Sequence, residues 1–320
     1  MSEPTVPLGG ISPEKMEEQA RTRLARADLQ GAASLLQHAA RDWNHVGDDA
    51  RAGACWLLAA STLRLAGKMK EAGHAARCAE VLPLSDEVRR GVDMELAEQA
   101  LASGDAAMAR ERFAFVLARY ADLMDASLRA VVLQRRAVAA AAAQDDRAAA
   151  IDYRAAADLM QMHGQPADAE TARLAAVSCL ARVDAAAAEI LWRDIDRLPP
   201  RDGTGAARRG LVGGQLAEQS RQPALALARY GMARQGALDA RDAATYLVAS
   251  VQSSMLMEQQ GQVGDAYARL ASAWVTLGDL LGRDTAAAML RPAMKDLRDR
   301  LGLEEFRRVR EAYAERRRRH

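Results

Sequence analysis

Apolar residues recur at spacings of three and four along nearly all of this 320-residue chain, and no stretch sustains an alternation of period two. The pattern predicts helices and no sheet. Short breakers interrupt it: "RADLQ", "AGKMK", "SGDAA", "QDDRA", "RVDAA", "SRQPA", "QGQVG" and "RLGLE". Anchored at positions 27, 67, 104, 144, 182, 221, 261 and 302, these breaks lie 37–41 residues apart. A second set, including "VLPLSD", "MHGQPAD", "RLPPRDGTG" and "RQGALD", falls about midway. Two helices per interval give an all-α chain of about eight helical hairpins, sixteen helices in total.

Side-chain size supports this register. Five residues after the anchors stand Ala32, Ala72, Ala109, Ala149, Ala187, Ala226 and Ala266, the series failing only at Arg307. Seven before them stand Ala20, Ala60, Ala97, Ala137, Ala175, Gly214 and Ser254. Nine after come Leu36, Ala76, Phe113, Tyr153, Leu191, Tyr230 and Leu270, and twelve after come Ala39, Ala79, Val116, Ala156, Asp194, Ala233 and Ala273. Offsets five, nine and twelve share one helical stripe. Small residues on it let backbones approach to the short end of the usual helix–helix range, and the residue at offset nine fills the space between them.

These small-residue positions, with Gly67, Gly104 followed by Asp105, and Gly261 at the turns, resemble the tetratricopeptide-repeat superfamily. Trp56 matches the family's aromatic near the start of a first helix, and Pro83 falls near its closing proline. The resemblance covers about residues 13–290. The interval near 39 residues, against about 34 in the standard repeat, indicates helices longer by about a turn, as in variants found in bacterial regulators and adaptors. It implies a right-handed α-solenoid, a superhelix used for protein or peptide recognition. The expected organisation is a flexible N-terminus over 1–12, five repeats over 13–198, a loop or hinge over 199–205, two repeats over 206–283, and a degenerate cap with a basic tail over 284–320. Pro292 is expected to kink or split the first helix of that cap.

Composition narrows the function. Half of the residues are hydrophobic, and 44 basic groups nearly balance 43 acidic ones, so no global field points to nucleic acid or membrane. Lysine occurs only at 15, 68, 70 and 295; the preference for arginine reads as the coding bias of a GC-rich bacterium. The first residues lack a secretory signal, and the longest small-apolar run, 137–143, is far short of a membrane span. Cys55, Cys78 and Cys179 read as reduced core thiols of a cytoplasmic protein.

Catalytic and cofactor chemistry finds no foothold. His38 and His45 are seven apart, without a ligand cluster to complete a metal site. "GLVGG" at 210–214 and "RDGTG" at 201–205 follow no strand and match no phosphate-binding fingerprint, so close helix packing and a loop are the simpler readings. His74 and Cys78 have one-turn spacing, but without an orienting acid or an oxyanion donor Cys78 reads as a buried thiol. No cofactor and no enzymatic activity are expected. Residues 291–320 carry a net of five positive charges, including Arg316, Arg317, Arg318 and Arg319, and the rest of the chain is about four negative. Arginines at a helix C-terminus complement its dipole; contact with nucleic acid or an acidic partner is the alternative, with only Phe306 and Tyr313 available for stacking.

The expected function is a non-enzymatic scaffold or adaptor holding a protein or peptide segment in the solenoid groove; the rival is a regulatory module acting through the basic tail. Nucleic acid is disfavoured because no helix-turn-helix reader is visible. On the resemblance, the first helix of each hairpin lines the groove through Leu57, Ser61 and Arg64, then Met94 and Glu98, then Gln134 and Val138, with Val131, and finally Met255 and Glu258. Their apolar groups suit an amphipathic helix; self-cover by the array, or a second copy making a homo-oligomer, is the competing occupant.

Overall fold

The computed structural model describes residues 10–319, so most of the N-terminal segment 1–12 lies outside the described residues. Eight hairpins follow in order: Pro13–Ala25 (α1) with Leu29–His45 (α2), Asp49–Leu65 (α3) with Met69–Glu80 (α4), Asp86–Ala102 (α5) with Ala106–Arg119 (α6), and Ala126–Ala142 (α7) with Asp146–Met162 (α8). Then come Pro166–Val183 (α9) with Ala185–Asp196 (α10), Gly203–Gln219 (α11) with Pro223–Asp239 (α12), Ala243–Gln259 (α13) with Val263–Leu281 (α14), and Arg283–Leu301 (α15) with Leu303–Arg319 (α16). A single 3-10 turn, Ala121–Leu123, is the only other helical piece among the described residues. Two compact units divide the chain after Ala172, within α9. The loop between α10 and α11 covers 197–202. No helix of the described residues is long and apolar enough to cross a membrane.

The turns share one construction. At Ala27, Gly47, Gly67, Gly104, Gln144, Gly164, Arg221, Arg241 and Gly261 the backbone takes a positive φ, between 53° and 85°. Each of these residues donates its N–H three residues back, and the next residue donates five back, as Ala27 does to the Leu24 carbonyl and Asp28 to that of Arg23. Those paired bonds satisfy the last carbonyls of the outgoing helix. The residue after the left-handed one then opens the next helix. Where it is aspartate, at positions 28, 48, 105, 145 and 242, its carboxylate accepts the N–H three residues on at 2.9–3.1 Å, a cap worth about 1 kcal/mol. Two adjacent residues thus end one helix and begin another.

The fifth hairpin departs from this. Its turn has no left-handed residue, Asp184 is the cap, and the buried face of α10 is Ala188, Trp192 and Ile195. Ala187 and Leu191 are only half-buried and Asp194 is exposed. The anchor belongs at Val183, not 182, and the matching residue of α9 is the buried Ala176 in place of Ala175. The correction follows from cap geometry: the cap fixes the helical phase of what comes after, and here it sits one residue later.

Elsewhere the small-residue stripe is the interior. Ala32, Ala109, Ala149, Ala226 and Ala266 have no accessible surface, nor have Phe113, Tyr230, Val116, Ala156 and Ala273. In the seventh hairpin the two small positions touch directly, the Ser254 hydroxyl donating to the Ala266 carbonyl at 2.9 Å. In the sixth, a Cβ on Gly210 would lie 2.4 Å from the Ala233 nitrogen, so this glycine brings the α11 backbone against that of α12, and one on Gly214 would meet the Tyr230 ring, which takes its space. Pro292 does not split its helix: α15 runs unbroken across it. The proline is exposed, and Leu290 and Leu297 anchor the helix on either side in the core of the second unit.

Candidate functional site

Successive first helices approach each other within the units: α3 touches α5, α11 touches α13, and α13 touches α15. The half-exposed side chains of these helices form the candidate surface. Its charged members are tied from one hairpin to the next. Arg64 donates Nε and Nη2 to Glu95 at 2.9 and 3.1 Å, Arg135 pairs with Glu98 at 2.8 Å, and Arg300 grips both oxygens of Glu258 at 2.8 Å. Burial pushes the Glu98 carboxyl above the ordinary carboxylate range, against the pull of Arg135 and Arg64. The hydrogen bonds that Arg64 and Arg300 donate to Glu95 and Glu258 raise both guanidiniums, which stay fully charged.

The remaining predicted groove residues divide between packing and exposure. Leu57 fills the hollow over Gly91, where an added Cβ would lie 2.6 Å from its Cδ2. Ser61 turns its hydroxyl back to the carbonyls of Leu57 and Leu58. Met94 packs against the core of the third hairpin, Gln134 points its amide at the Met160 sulfur, 3.8 Å away, and Val138 is half-buried. Val131 and Met255 are 42% and 40% exposed, leaving them accessible to a partner.

Among the described residues, clefts open on first helices in each unit. One, of about 500 Å³ in the first unit, is lined by Glu14, Glu17 and Arg21 of α1 and Arg51, Cys55 and Leu58 of α3. Its charges are mutually paired, Arg21 with Glu17 at 3.6 Å and Arg51 with Glu14 at 3.7 Å, and Glu17 also accepts the Trp43 indole N–H at 2.7 Å. Burial, then the neighbouring Glu17, pushes the Cys55 thiol up to about 12, so it is no nucleophile at neutral pH.

The second cleft, of about 530 Å³ in the second unit, takes its walls from α9, α11 and α13: Ser178 and Arg182, then Gln215 and Gln219, then Gln252 and Gln259. Glu218 and Tyr230 also border it, the Tyr230 hydroxyl donating to Glu218 at 2.8 Å. Sequence reasoning missed these residues, although Gln215, Glu218 and Gln219 stand six, three and two before the anchor at 221, the offsets used for the other hairpins. Extending the stripe to the sixth hairpin would have found those three, and not Ser178, Arg182 or Gln252.

The three cysteines are free thiols. Cys78 is half-buried, not buried, with its sulfur 3.7 Å from His74 Nε2; burial still raises its thiol. Among the described residues no group of three or more His, Cys, Asp or Glu could hold a metal ion. At the C-terminus, Arg316 lies 3.9 Å from Asp265, while Arg317, Arg318 and Arg319 are exposed in the last turn of α16. Phe306 and Tyr313 are stacked edge-on against Tyr267, both with centroids 5.5 Å away, so these rings serve packing of α16 on α14.

No family model and no curated protein matches the sequence. Solved structures do match the fold. A tetratricopeptide repeat protein from Parabacteroides merdae ATCC 43184 superposes with a TM-score of 0.60 at 15% identity, covering 88% of this chain and 98% of that one. The apo form of the quorum sensor NprR from B. thuringiensis gives 0.60 at 11%, covering 94% and 92%. A Rap protein complexed with Competence and Sporulation Factor gives 0.53 at 10%, covering 95% and 87%.

Proposed function

We propose that this chain, an α-solenoid of the tetratricopeptide-like fold, is a non-catalytic interaction module of the bacterial cytoplasm that receives a protein or peptide partner on its first-helix faces. The observation that carries the reading is the cleft walled by three consecutive first helices, α9, α11 and α13; a surface made by neighbouring repeats is where an array gains recognition that no single hairpin has. The fold's likeness to a quorum sensor and to a Rap protein held in a complex supports a partner of this kind. Accessible Val131 and Met255 supply apolar contact beside ion pairs already satisfied within the chain.

Affinity capture from the native host with crosslinking and mass spectrometry tests this. Crosslinks should map to first-helix faces, and Val131→Glu and Met255→Glu should lower capture by about tenfold, the effect of losing one good apolar contact, with melting temperature unchanged. Crosslinks confined to second helices, or capture indifferent to both substitutions, would reject the reading.

A further inference from the structure

We propose that copies of this chain associate head to tail, the arginine turn that ends α16 of one copy seating on the edge of another copy's first unit where the loops after α4 and α6 meet. This surface is separate from the first-helix faces and does not depend on what those faces bind.

Charge is divided between the two units. Residues 1–172 hold 20 basic against 25 acidic groups, and residues 173–320 hold 24 against 18. Each unit therefore attracts the opposite unit of a second copy and repels its own kind. The second unit's excess is concentrated in the last turn of α16. Arg316 lies 3.9 Å from Asp265, whereas Arg317, Arg318 and Arg319 are exposed and in no ion pair among the described residues.

The receiving edge is apolar and acidic together. Each second helix of the first unit ends on an exposed large apolar residue: Val46 after α2, Val81 after α4, Leu123 after α6 and Met162 at the end of α8. Val81, 81% exposed, is the most open of them. The loop after α4 lies against the loop after α6, since Arg119 reaches Asp86 at 3.5 Å and Arg90 donates to the Leu123 carbonyl. Val81 and Leu123 are thereby set close to Glu87 and Asp122, exposed carboxylates in no ion pair among the described residues. Asp125 is exposed beside them, its carboxylate accepting the Leu128 N–H at 2.7 Å.

That combination suits arginine. A guanidinium fork pairs with a carboxylate while the aliphatic stem lies along apolar surface, so three arginines in one turn can cover Val81 and Leu123 and neutralise Glu87 and Asp122 together. A nucleic acid would engage the arginines alone and leave the apolar edge in water. The rings it would stack on, Phe306 and Tyr313, are packed against Tyr267. Because tail and edge are different surfaces, the contact is heterologous, and every added copy of an open chain leaves one of each unfilled. The product is an open or ring-closed series that grows with concentration, not a two-fold dimer.

Sedimentation velocity of the full chain tests this. At about 20 mM salt the mean sedimentation coefficient should rise with protein concentration; at about 500 mM, where the screening length is about 4 Å, it should fall to the single-chain value. Arg317→Glu/Arg318→Glu/Arg319→Glu and Glu87→Arg/Asp122→Arg should each weaken association by about tenfold or more at low salt. Mixed in equal amounts, the two variants should associate again, because each supplies the surface the other has lost; that recovery also shows both to be folded. Val81→Ser/Leu123→Ser should weaken association by about tenfold at unchanged melting temperature. Single chains at every concentration in low salt, association that survives either charge reversal, or no association in the mixture of variants with parental helicity would overturn the proposal. So would duplex DNA retained by a single-chain parent and released by the tail variant, which would give the arginines to nucleic acid instead.

Discussion

At the scale of single residues, Ala27, Gln144, Arg221 and Arg241 stand where glycine would be at ease, with φ of 53° to 63°. The left-handed conformation costs a residue with a Cβ about 1–2 kcal/mol, and glycine returns about half of that through its larger unfolded-state entropy. Ala27→Gly and Gln144→Gly should each raise stability by about 0.5 kcal/mol, measured as a shift of the denaturant midpoint; a lowered midpoint would mean the turns are not left-handed in solution. The aspartate caps set an acid limit. The Thr245 hydroxyl and backbone N–H hold the Asp242 carboxyl below its ordinary 3.8, and the Ala148 N–H, then Arg110, do the same for Asp145. With the folded value depressed, this stability is in full above the unfolded value and is lost as pH falls through the folded one. Asp145→Asn/Asp242→Asn should therefore show a smaller loss of midpoint between pH 6 and pH 3 than the parent; an unchanged loss would count against the caps. The anchors at 27, 104 and 144 were legible because "AD", "GD" and "QD" place the left-handed residue beside its cap. The fifth turn hid because "RVDAA" sets its aspartate one position later.

At the scale of elements, the helical phase read from small residues holds wherever a left-handed residue stands at the anchor and fails at the fifth turn, which has none, since packing in this chain is decided by absence of bulk. Gly210 and Gly231 separate that effect from helix propensity. A Cβ on Gly210 would lie 2.7 Å from the Ala233 Cα and the Arg229 carbonyl oxygen, whereas one on Gly231 meets nothing within 4 Å. Gly210→Ala should cost about 1–3 kcal/mol through overpacking, and Gly231→Ala should gain about 0.5–1 kcal/mol from propensity. Equal effects in thermal unfolding would reject the close approach of α11 to α12. The continuity of α15 through Pro292 was not legible. Proline removes one N–H and crowds one carbonyl, but whether a helix survives depends on tertiary anchors such as Leu290 and Leu297, which a local reading does not weigh.

For the whole molecule, contacts run chiefly between helices adjacent in sequence, with first-helix neighbours and the α14–α16 pair as additions. Stability in such an array is close to a sum of nearest-neighbour terms, and cooperativity is limited in range. Single-tryptophan variants retaining Trp56 or Trp274 should give denaturant transitions with different midpoints; coincident curves would show all-or-none unfolding instead. Fold class and hairpin count were legible because periodicity and breakers repeat eight times. The candidate cleft was not. Ser178, Gln215 and Gln252 come from different hairpins, and what groups from different hairpins do to each other, such as the Arg135–Glu98 pair that occupies a predicted groove residue, is absent from a one-dimensional pattern.

The two-residue joint, left-handed residue then cap, carries a genetic consequence. Since the left-handed turn recurs at nine helix ends, five of them followed by an aspartate cap, a gene segment encoding one interval carries its own closing signal and often its own opening one. In-frame recombination between joints at equivalent places in two hairpins would delete or duplicate a whole hairpin and leave equivalent backbone ends to rejoin. A lineage can thus change the number of hairpins, and with it the composition of the binding face, without inventing a new connection.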